Sequence, residues 1–402
     1  MRVLRITHSS LTPALRQRER ALTQRYPDVA LEVITPERWR EAEVEVEATT
    51  DELFPVRTAR TYFSKHIQLF AYDPRPIVAA LREHKPDLID VSHEPYSVAC
   101  AETLTLCNWF APHVPIVMHT NQNIFHNYPP PFNWFERRAL RRIAAAYACS
   151  ETVREVLRAK GFRKPAPVIT YGVDTEAFRA RATVKNGSER GLTIGFVGRM
   201  LPGKGLNVLA EALEKLGAEP WQLLVVGDGS ERPDFEQRLA AAGLLDRAKF
   251  TGAIGFDLVP EYFKKLDVLV IPTQTTKRIR EQFGRVIVEA MASGIPVIGS
   301  TCGAIPEVIA EAGLVFPEGD ADALAAALRR LLSDSVLRER LAVAGRKRVE
   351  QHYSWERVAD QTYELFQQVL RAKEAPAVKR SFVSAPLVTL GAMMMHVFDL
   401  LA

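Results

Sequence analysis

Cysteine is scarce in this chain of 402 residues, and its four cysteines do not have the spacing of metal ligands or of a redox pair. No secretory signal peptide is recognisable at the start of the sequence. Isolated thiols without a disulfide pattern are typical of a reducing compartment. We therefore expect a cytoplasmic protein without a metal site. The cysteines are Cys100, Cys107, Cys149 and Cys302.

A large excess of charge of one sign is missing as well. The chain has 52 Lys and Arg residues against 48 Asp and Glu residues, so its formal net charge is only +4. Such a mild charge argues against a dedicated nucleic-acid-binding protein. Because 402 residues exceed the size at which one hydrophobic core usually stops growing, we expect two domains.

The nearly uncharged segment 382–402 lacks the uninterrupted apolar run that a membrane-spanning helix needs. Pro386, Gly391, His396 and Asp399 interrupt it, which argues against a spanning helix. Two interpretations stay open for this tail. It is either a short amphipathic segment that touches the inner membrane face, or a frayed or packed terminus.

Continuous apolar segments alternate with helical patterns in both halves of the sequence, which is typical of parallel α/β domains. We expect a first domain over 1–180 and a second over 190–352, because the residues between them are polar and contain glycine. A final helix at about 354–373 and a tail over 374–402 follow. The section 37–51 carries many charges without a firm pattern and is interpreted as surface. Predicted strands are 2–8, 31–34, 87–92, 115–120, 144–150, 167–171, 192–198, 223–229, 268–272 and 296–300.

The common nucleotide-binding fingerprints are missing from the loop after the strand 192–198. It has neither the Gly-x-Gly-x-x-Gly of dinucleotide sites nor the Lys-Ser/Thr of a phosphate-binding loop. Its glycines nevertheless allow a tight turn, and Arg199 and Lys204 flank the start of the next helix. We expect these two cations to neutralise an anion without a bound metal.

The most informative segment is 281–298, which is interpreted as a loop, a helix, a Gly stop and a buried strand. Phe283-Gly284 leaves backbone N–H groups open at the helix start, which suits a phosphate. If the residues between Glu281 and Glu289 were helical, the two carboxylates would lie roughly 12 Å and about 80° apart. They could then accept hydrogen bonds from the two hydroxyl-rich ends of a nucleotide-sugar. The alternative is that Glu289 is a solvated helix residue and Glu281 a loop charge.

Polar residues also follow two predicted strands of the first half, where ligands of open parallel sheets collect. They lie at 93–96 and 119–121. His119 is either a partner of a sugar hydroxyl or a strand-end histidine bonded to backbone.

Two other groups of charged residues have ordinary explanations beside a functional one. Asp320 and Asp322 resemble a metal-binding pair, but a helix N-cap explains them better. Four arginines on the helix 132–143 could attract an anion or be solvated; they are Arg137, Arg138, Arg141 and Arg142.

Several short motifs occur together in the second half, and their combination resembles the retaining GT-B glycosyltransferases of family four, the glycosyl transferases group 1. The match covers most of residues 192–351, and the first half is similar more loosely, through His119-Thr120. The motifs are Gly198-Arg199-x-x-x-x-Lys204-Gly205, Glu281 and Glu289 with seven residues between them, Phe283-Gly284, Ala290-Met291-Ala292, Gly294-x-Pro296 and Gly303-x-x-x-Glu307.

This resemblance implies an α/β GT-B fold, in which two Rossmann-like, doubly wound domains face each other across a cleft. The second domain would hold the nucleoside-diphosphate sugar, a co-substrate, with no other cofactor. Arg199 and Lys204 would bind the pyrophosphate, Glu289 the ribose and Glu281 the transferred sugar. His119 would contact that sugar near its reacting carbon. Gly198, Phe283, Gly284 and Arg285 would complete the donor site.

The implied activity is metal-independent transfer of the sugar, with retention, to an acceptor hydroxyl in glycan, polysaccharide or glycolipid synthesis. The acceptor would be a glycan, a lipid-linked molecule or a small molecule. The family often has a Gly-Gly loop after the first strand, whereas this chain has 9-SSLTP-13 there. Three alternatives stay open: a nucleotide-sugar epimerase on the same fold, a nicotinamide-dependent oxidoreductase, and a non-catalytic sugar-nucleotide sensor.

Overall fold

The computed structural model describes residues 1–41, 44–179, 191–255, 258–277 and 279–374. Its strands are β1 (Arg2–Thr7), β2 (Ala30–Pro36), β3 (Arg38–Glu41), β4 (Val44–Glu47), β5 (Val56–Ala59), β6 (Thr61–Tyr62), β7 (Ala71–Tyr72), β8 (Leu88–Ser92), β9 (Ile116–Thr120), β10 (Ala145–Ala148), β11 (Leu192–Val197), β12 (Trp221–Val226), β13 (Ala248–Phe250), β14 (Val268–Ile271), β15 (Val297–Ser300) and β16 (Leu314–Phe316).

The helices connect these strands and cover both faces of the sheets. They are α1 (Gln17–Arg25), α2 (Pro74–Glu83), α3 (Val98–Phe110), α4 (Phe132–Arg142), α5 (Glu151–Ala159), α6 (Leu206–Leu216), α7 (Arg232–Ala241), α8 (Val259–Phe263), α9 (Arg285–Ala292), α10 (Ile305–Ile309), α11 (Ala321–Ser333), α12 (Ser335–His352) and α13 (Trp355–Glu374).

Two parallel sheets organise the molecule, as the sequence predicts. Each has six strands, and the prediction missed the edge strands β5, β13 and β16. The first has the order β10-β9-β8-β1-β2-β5, and the second has the order β13-β12-β11-β14-β15-β16. Leu4 and Ile6 face one side of the first sheet, while Val3 packs on the other with residues of α1 and α13. Burial on both faces explains why these strands are continuously apolar.

The last helix returns from the second sheet to the first. In α13, the ring of Tyr363 stacks on Tyr26 of α1 with 3.8 Å between centroids. The Asp360 carboxylate accepts a hydrogen bond of 2.7 Å from the Tyr26 hydroxyl and pairs with Arg25. The predicted linker around residues 180–190 and the predicted tail after 374 lie outside the described residues.

The interpretation of 37–51 as surface is wrong in part. β3 and β4 form an antiparallel hairpin whose Trp39 packs against Phe70, with 4.8 Å between ring centroids. The Asp51 side chain is fully buried beside Arg16 and Arg20. Its charge is neutralised inside the fold, and a sequence pattern cannot distinguish such a carboxylate from a solvated one.

The segment 167–171 does not form the strand predicted for it. Val168 makes an isolated bridge with Ala148, the last residue of β10, and Ile169 donates one backbone hydrogen bond to the Ala148 carbonyl. After this bridge, Gly172 lies against the ring of Trp355 at the start of α13. A Cβ atom at this glycine would be 2.4 Å from that ring.

Glu102 on α3 gives the first domain a testable dependence on pH. Its carboxylate accepts a hydrogen bond of 2.8 Å from the Tyr72 backbone N–H, and burial raises the pKa of Glu102 from 4.5 to about 7. Between pH 4.5 and about 7, the carboxyl group of Glu102 is protonated in the folded state and ionised in the unfolded state. The free energy of unfolding therefore falls as the pH rises through this range.

We expect Glu102→Gln to remove this loss, because the amide oxygen can still accept from Tyr72 and carries no charge. At pH 8 the variant should be more stable by about 2 kcal/mol, allowing for the partial exposure of Glu102 to water. At pH 4 the two proteins should unfold alike. Denaturant unfolding at both values checks this, and an equal difference at both would contradict it.

Candidate active site

The loops that follow β11, β14 and β15 meet at the carboxyl edge of the second sheet, backbone against backbone. A Cβ atom at Gly205, which has φ +75°, would lie 1.8 Å from the Pro272 carbonyl oxygen. One at Gly303, with φ +59°, would lie 2.1 Å from the carbonyl oxygen of Glu281. Glycine is needed at both positions because no side chain fits and the backbone is left-handed.

This close packing brings Lys204 and Glu281 together. The Lys204 Nζ lies 2.7 Å from Glu281 Oε2, and the Thr273 hydroxyl is 3.5 Å from the same oxygen. The two paired side chains are 26% and 16% exposed, so a ligand can reach them. The cation and the carboxylate neutralise each other, and each is held in position by the other.

Arg199 follows β11 directly and is exposed. Its guanidinium forms no ion pair with another residue of the described ranges, so it is not paired with Glu281, as Lys204 is, or with Glu289. The preceding Gly198 has φ +147°, and a Cβ atom there would meet nothing within 4 Å. The loop is therefore open at this point, with space for a ligand beside the arginine.

The helix α9 begins at Arg285, after Gly284 with φ +81°. Within the described part of the chain, the N–H groups of Gly284, Arg285 and Val286 have no backbone acceptor. The Phe283 side chain is buried and packs on Tyr171, with 5.7 Å between ring centroids. The helix start thus offers backbone donors, while the ring of Phe283 fixes their position.

Glu289 lies one turn inside α9, with a carboxylate oxygen 3.8 Å from the Arg285 guanidinium. Burial raises the pKa of Glu289, and Arg285 partly offsets this effect. Glu281 lies in the loop before the helix, as the sequence predicts. Because the helix starts only at Arg285, the separation given for a continuous helix from Glu281 to Glu289 does not apply.

His119 ends β9 in the first domain and is buried. Its Nδ1 atom lies 3.1 Å from the Ser92 hydroxyl, and its ring stacks on Tyr147 with 4.8 Å between centroids. The Tyr147 hydroxyl donates to Asp90, which is paired with Arg5. Burial lowers the pKa of His119 well below 6.5, so the ring is neutral. Its partner is a side chain, not the backbone, and its role towards a sugar stays a prediction.

The two domains touch beside the Lys204–Glu281 pair. Asn123 Nδ2 donates to the carbonyl oxygens of Arg280 and Glu281, at 2.9 and 3.0 Å. The Glu307 carboxylate accepts from the backbone N–H of Glu151, at 3.0 Å. The first domain therefore holds the main chain of Glu281 directly. Sequence reasoning missed Asn123, although it lies just after β9, where ligands of such sheets collect.

A second group that sequence reasoning missed lies at the carboxyl end of β1. The half-buried ring of His8 is 5.0 Å from Trp39 and 5.6 Å from Phe70 between centroids. Its Nδ1 atom is 3.4 Å from His93 Nδ1, and burial lowers the pKa of His8 to about 4. The sequence contained one signal of this cluster: residues 9–13, directly after His8, lack the Gly-Gly loop that the family often has after its first strand.

Asp320 is a helix cap, as predicted, because its carboxylate accepts from the Ala323 backbone N–H at 2.9 Å. Asp322 pairs with Lys215 at 2.8 Å. All four cysteines are buried free thiols. Among the helices that the structure describes, none has the length and apolar character needed to cross a bilayer.

Two family models match the chain. The model of glycosyl transferases group 1 matches residues 191–334, and that of glycosyltransferase family 4 matches residues 19–177. Among curated proteins, 2-deoxystreptamine glucosyltransferase of Streptomyces kanamyceticus is 34% identical over 244 residues, covering 57% of this chain and 60% of that protein. Alpha-D-kanosaminyltransferase of the same organism is 29% identical over 254 residues, covering 60% and 64%. The chain thus spans less than two thirds of the length of these relatives.

Solved structures show the same architecture. Anabaena HepE in complex with UDP has a TM-score of 0.72 and 19% identity, with 92% of this chain and 100% of that chain covered. Sucrose-phosphate synthase from Thermosynechococcus elongatus has a TM-score of 0.69 and 21% identity, with the same coverage. These likenesses confirm the predicted GT-B fold. Since the two family models together match both domains, the chain belongs to the glycosyl transferases group 1.

Proposed function

We propose that this protein transfers a sugar from a nucleoside-diphosphate sugar to an acceptor hydroxyl, with retention and without a metal ion. The observation that supports this most directly is the 2.7 Å pair of Lys204 and Glu281 at the edge of the second sheet. A diphosphate would take over Lys204 as its counter-ion. The carboxylate of Glu281 would then be free to accept hydrogen bonds from the sugar.

The surroundings of this pair suit the charge that develops in such a reaction. As the bond between the anomeric carbon and the diphosphate breaks, negative charge grows on the departing phosphate oxygen. Lys204, Arg199 and the N–H groups at the start of α9 can stabilise that charge. Each such group typically contributes about 2–4 kcal/mol to lowering the barrier.

Bond making and bond breaking take place on one face of the sugar in this proposal. The acceptor oxygen forms the new bond to the anomeric carbon while the bond to the phosphate oxygen breaks. The acceptor proton passes to the departing phosphate oxygen, so the configuration is kept and no covalent enzyme intermediate forms. Glu281 serves as a partner of sugar hydroxyls, Glu289 as the partner of the ribose diol, and neutral His119 as a contact near the reacting carbon.

The acceptor would bind in the first domain, along the carboxyl edge of its sheet. From Asn123, which touches the loop of Glu281, this edge leads past His93 to the cluster of His8 and Trp39. The reaction would belong to glycan, polysaccharide or glycolipid synthesis, with a glycan, a lipid-linked molecule or a small molecule as acceptor. We place the protein in the cytoplasm, with peripheral contact at the inner membrane face.

Thermal unfolding of the purified protein with a panel of UDP-, GDP- and ADP-sugars tests this proposal. A ligand at 100 times its dissociation constant should add about 2.7 kcal/mol to the free energy of unfolding. Lack of stabilisation by every member of the panel would contradict the proposal. The stabilising donor is then incubated with acceptors in the presence of a chelator, and the anomeric configuration of the product is read by NMR.

The same assay separates the alternatives. An epimerase would isomerise the donor without any acceptor, and a sensor would bind it without turnover. A nicotinamide-dependent oxidoreductase would be stabilised by that cofactor instead of by a nucleoside-diphosphate sugar.

A further inference from the structure

A stretch of the first domain displays large apolar side chains to solvent. All residues from Tyr62 to Leu69, here called the apolar loop, are exposed. The exposed fractions are 47% for Tyr62, 61% for Phe63, 45% for Ile67 and 43% for Leu69. Single exposed apolar residues are ordinary, but a contiguous group of this kind marks an interaction surface.

The backbone of the apolar loop is tied in place, so the side chains are held outward together. The His66 and Leu69 N–H groups donate to the Phe63 and His66 carbonyl oxygens, at 3.2 and 2.9 Å. Val98, the first residue of α3, donates to the Gln68 carbonyl oxygen at 3.0 Å. Phe63 has φ 56°, a left-handed conformation that an L-residue rarely adopts unless the surrounding structure holds it there.

Basic residues flank the apolar loop. Between Glu52 and Asp73 the sequence contains Arg57, Arg60 and Lys65 and no acidic residue. Arg57 is paired with Glu32 and Glu83. Arg60 and Lys65 therefore carry the positive charge beside the loop. Asp73 is itself neutralised by Arg75. A partner surface that complements this loop therefore has an apolar layer for the exposed side chains and negative charge beside it for the basic residues.

A second group of basic residues lies on the same domain, in the groove between α3 and α4. α3 packs between α2 and α4, and the exposed Trp134 of α4 lies in a groove with Arg137, Arg138 and Arg141. Arg142 in the same groove donates a hydrogen bond of 2.6 Å to the Asn108 side chain. The other three arginines form no ion pair with a described residue. An interfacial aromatic ring among arginines is typical of surfaces that contact anionic lipid.

We infer that the apolar loop inserts into the headgroup region of an anionic lipid bilayer, with Arg60, Lys65 and the arginines of α4 against lipid phosphates. The loop ends at buried Phe70, which packs on His8 and Trp39. Docking would therefore place the carboxyl edge of the first sheet at the lipid surface. This inference rests on the peripheral membrane contact of the proposed function and names the surface that makes it. Vesicle binding tests the surface without any donor or acceptor, so its failure can be told apart from a failure of sugar transfer.

Co-sedimentation of the full chain with phosphatidylcholine vesicles, with and without phosphatidylglycerol, tests the docking. The loop variant Phe63→Ser/Ile67→Ser/Leu69→Ser should partition at least about tenfold less, since three apolar side chains no longer enter the bilayer. The control is Val336→Ser/Val343→Ser on α12, where the side chains are 75% and 64% exposed. The control should bind as the unchanged protein does. Lys65→Glu should weaken binding only to the anionic vesicles.

Thermal unfolding and stabilisation by the nucleotide-sugar show whether each variant is folded, and they do not depend on lipid. Absence of binding to anionic vesicles by the unchanged protein would overturn the inference. Equal vesicle binding by the loop variant and the unchanged protein would also overturn it. If removal of 382–402 abolished vesicle binding, the membrane contact would belong to the tail and not to the apolar loop. A self-association that the loop substitutions abolish, without any vesicle binding, would assign the loop to a second copy of the chain.

Discussion

Turnover of the Lys204→Ala variant is expected to fall by roughly 100- to 1,000-fold, with weaker binding of the nucleoside diphosphate. The variant loses the cation that faces the departing phosphate in the proposed reaction, and it leaves Glu281 without the partner that lies 2.7 Å from its carboxylate. The unpaired carboxylate would then repel the incoming diphosphate. Initial rates over a range of donor concentrations measure both effects.

The matched control is Lys264→Ala on α8. Lys264 also pairs with a glutamate, Glu261, but it is 50% exposed and lies away from the edge where Lys204 meets Glu281. Such surface pairs contribute little, so the kinetic constants should stay within about twofold. Equal kinetics of the Lys204→Ala variant and the unchanged protein would remove the electrostatic basis of the proposed reaction.

The architecture was predictable because it depends on local patterns. Every residue of the strands Leu88–Ser92 and Val268–Ile271 is buried. A short apolar run between two helical patterns predicts such a strand from sequence alone. The segment 167–171 has the same composition, yet it forms a single bridge. Its pairing depends on space beside β10, which composition does not reveal.

The local structure around the residues proposed to bind the donor was predictable for a related reason. Lys204, Gly284 and Glu289 belong to short motifs in which the loop and the helix that follow a strand are fixed by neighbouring residues. Asn123 could not be found in this way, because its partners are 157 and 158 residues away in sequence. Contacts between the domains depend on the position of one sheet relative to the other. A local sequence pattern does not predict that position.

A buried charged residue, Asp51, explains part of the error at 37–51, and other buried charges were equally hidden from sequence analysis. Arg16 and Asp51 are both fully buried as side chains, and Arg5 is buried with Asp90 and Glu19. In the sequence they look like solvated surface residues, because charged side chains are rarely buried unless they are paired. The pairing joins β1, α1 and the segment after the β3–β4 hairpin, which are separated in sequence.

Gly303→Ala is the second substitution with a large expected effect, although Gly303 itself reaches no ligand. An alanine Cβ would lie 2.1 Å from the Glu281 carbonyl oxygen, so the loop of Glu281 must move. Displacement of a positioning group by about 1 Å costs on the order of 100-fold in turnover. We therefore expect a loss of that size, with a stability loss of about 2 kcal/mol or more from the left-handed backbone and the clash.

Gly243→Ala separates these two causes. Gly243 has φ +69°, close to the +59° of Gly303, but a Cβ atom there would meet nothing within 4 Å. This variant should lose only about 1 kcal/mol of stability, from the backbone conformation, and keep its turnover. Turnover of Gly303→Ala equal to that of Gly243→Ala would mean that the loop can carry Glu281 elsewhere without cost. In that event the close packing of Gly303 on Glu281 would not be what positions the carboxylate beside Lys204.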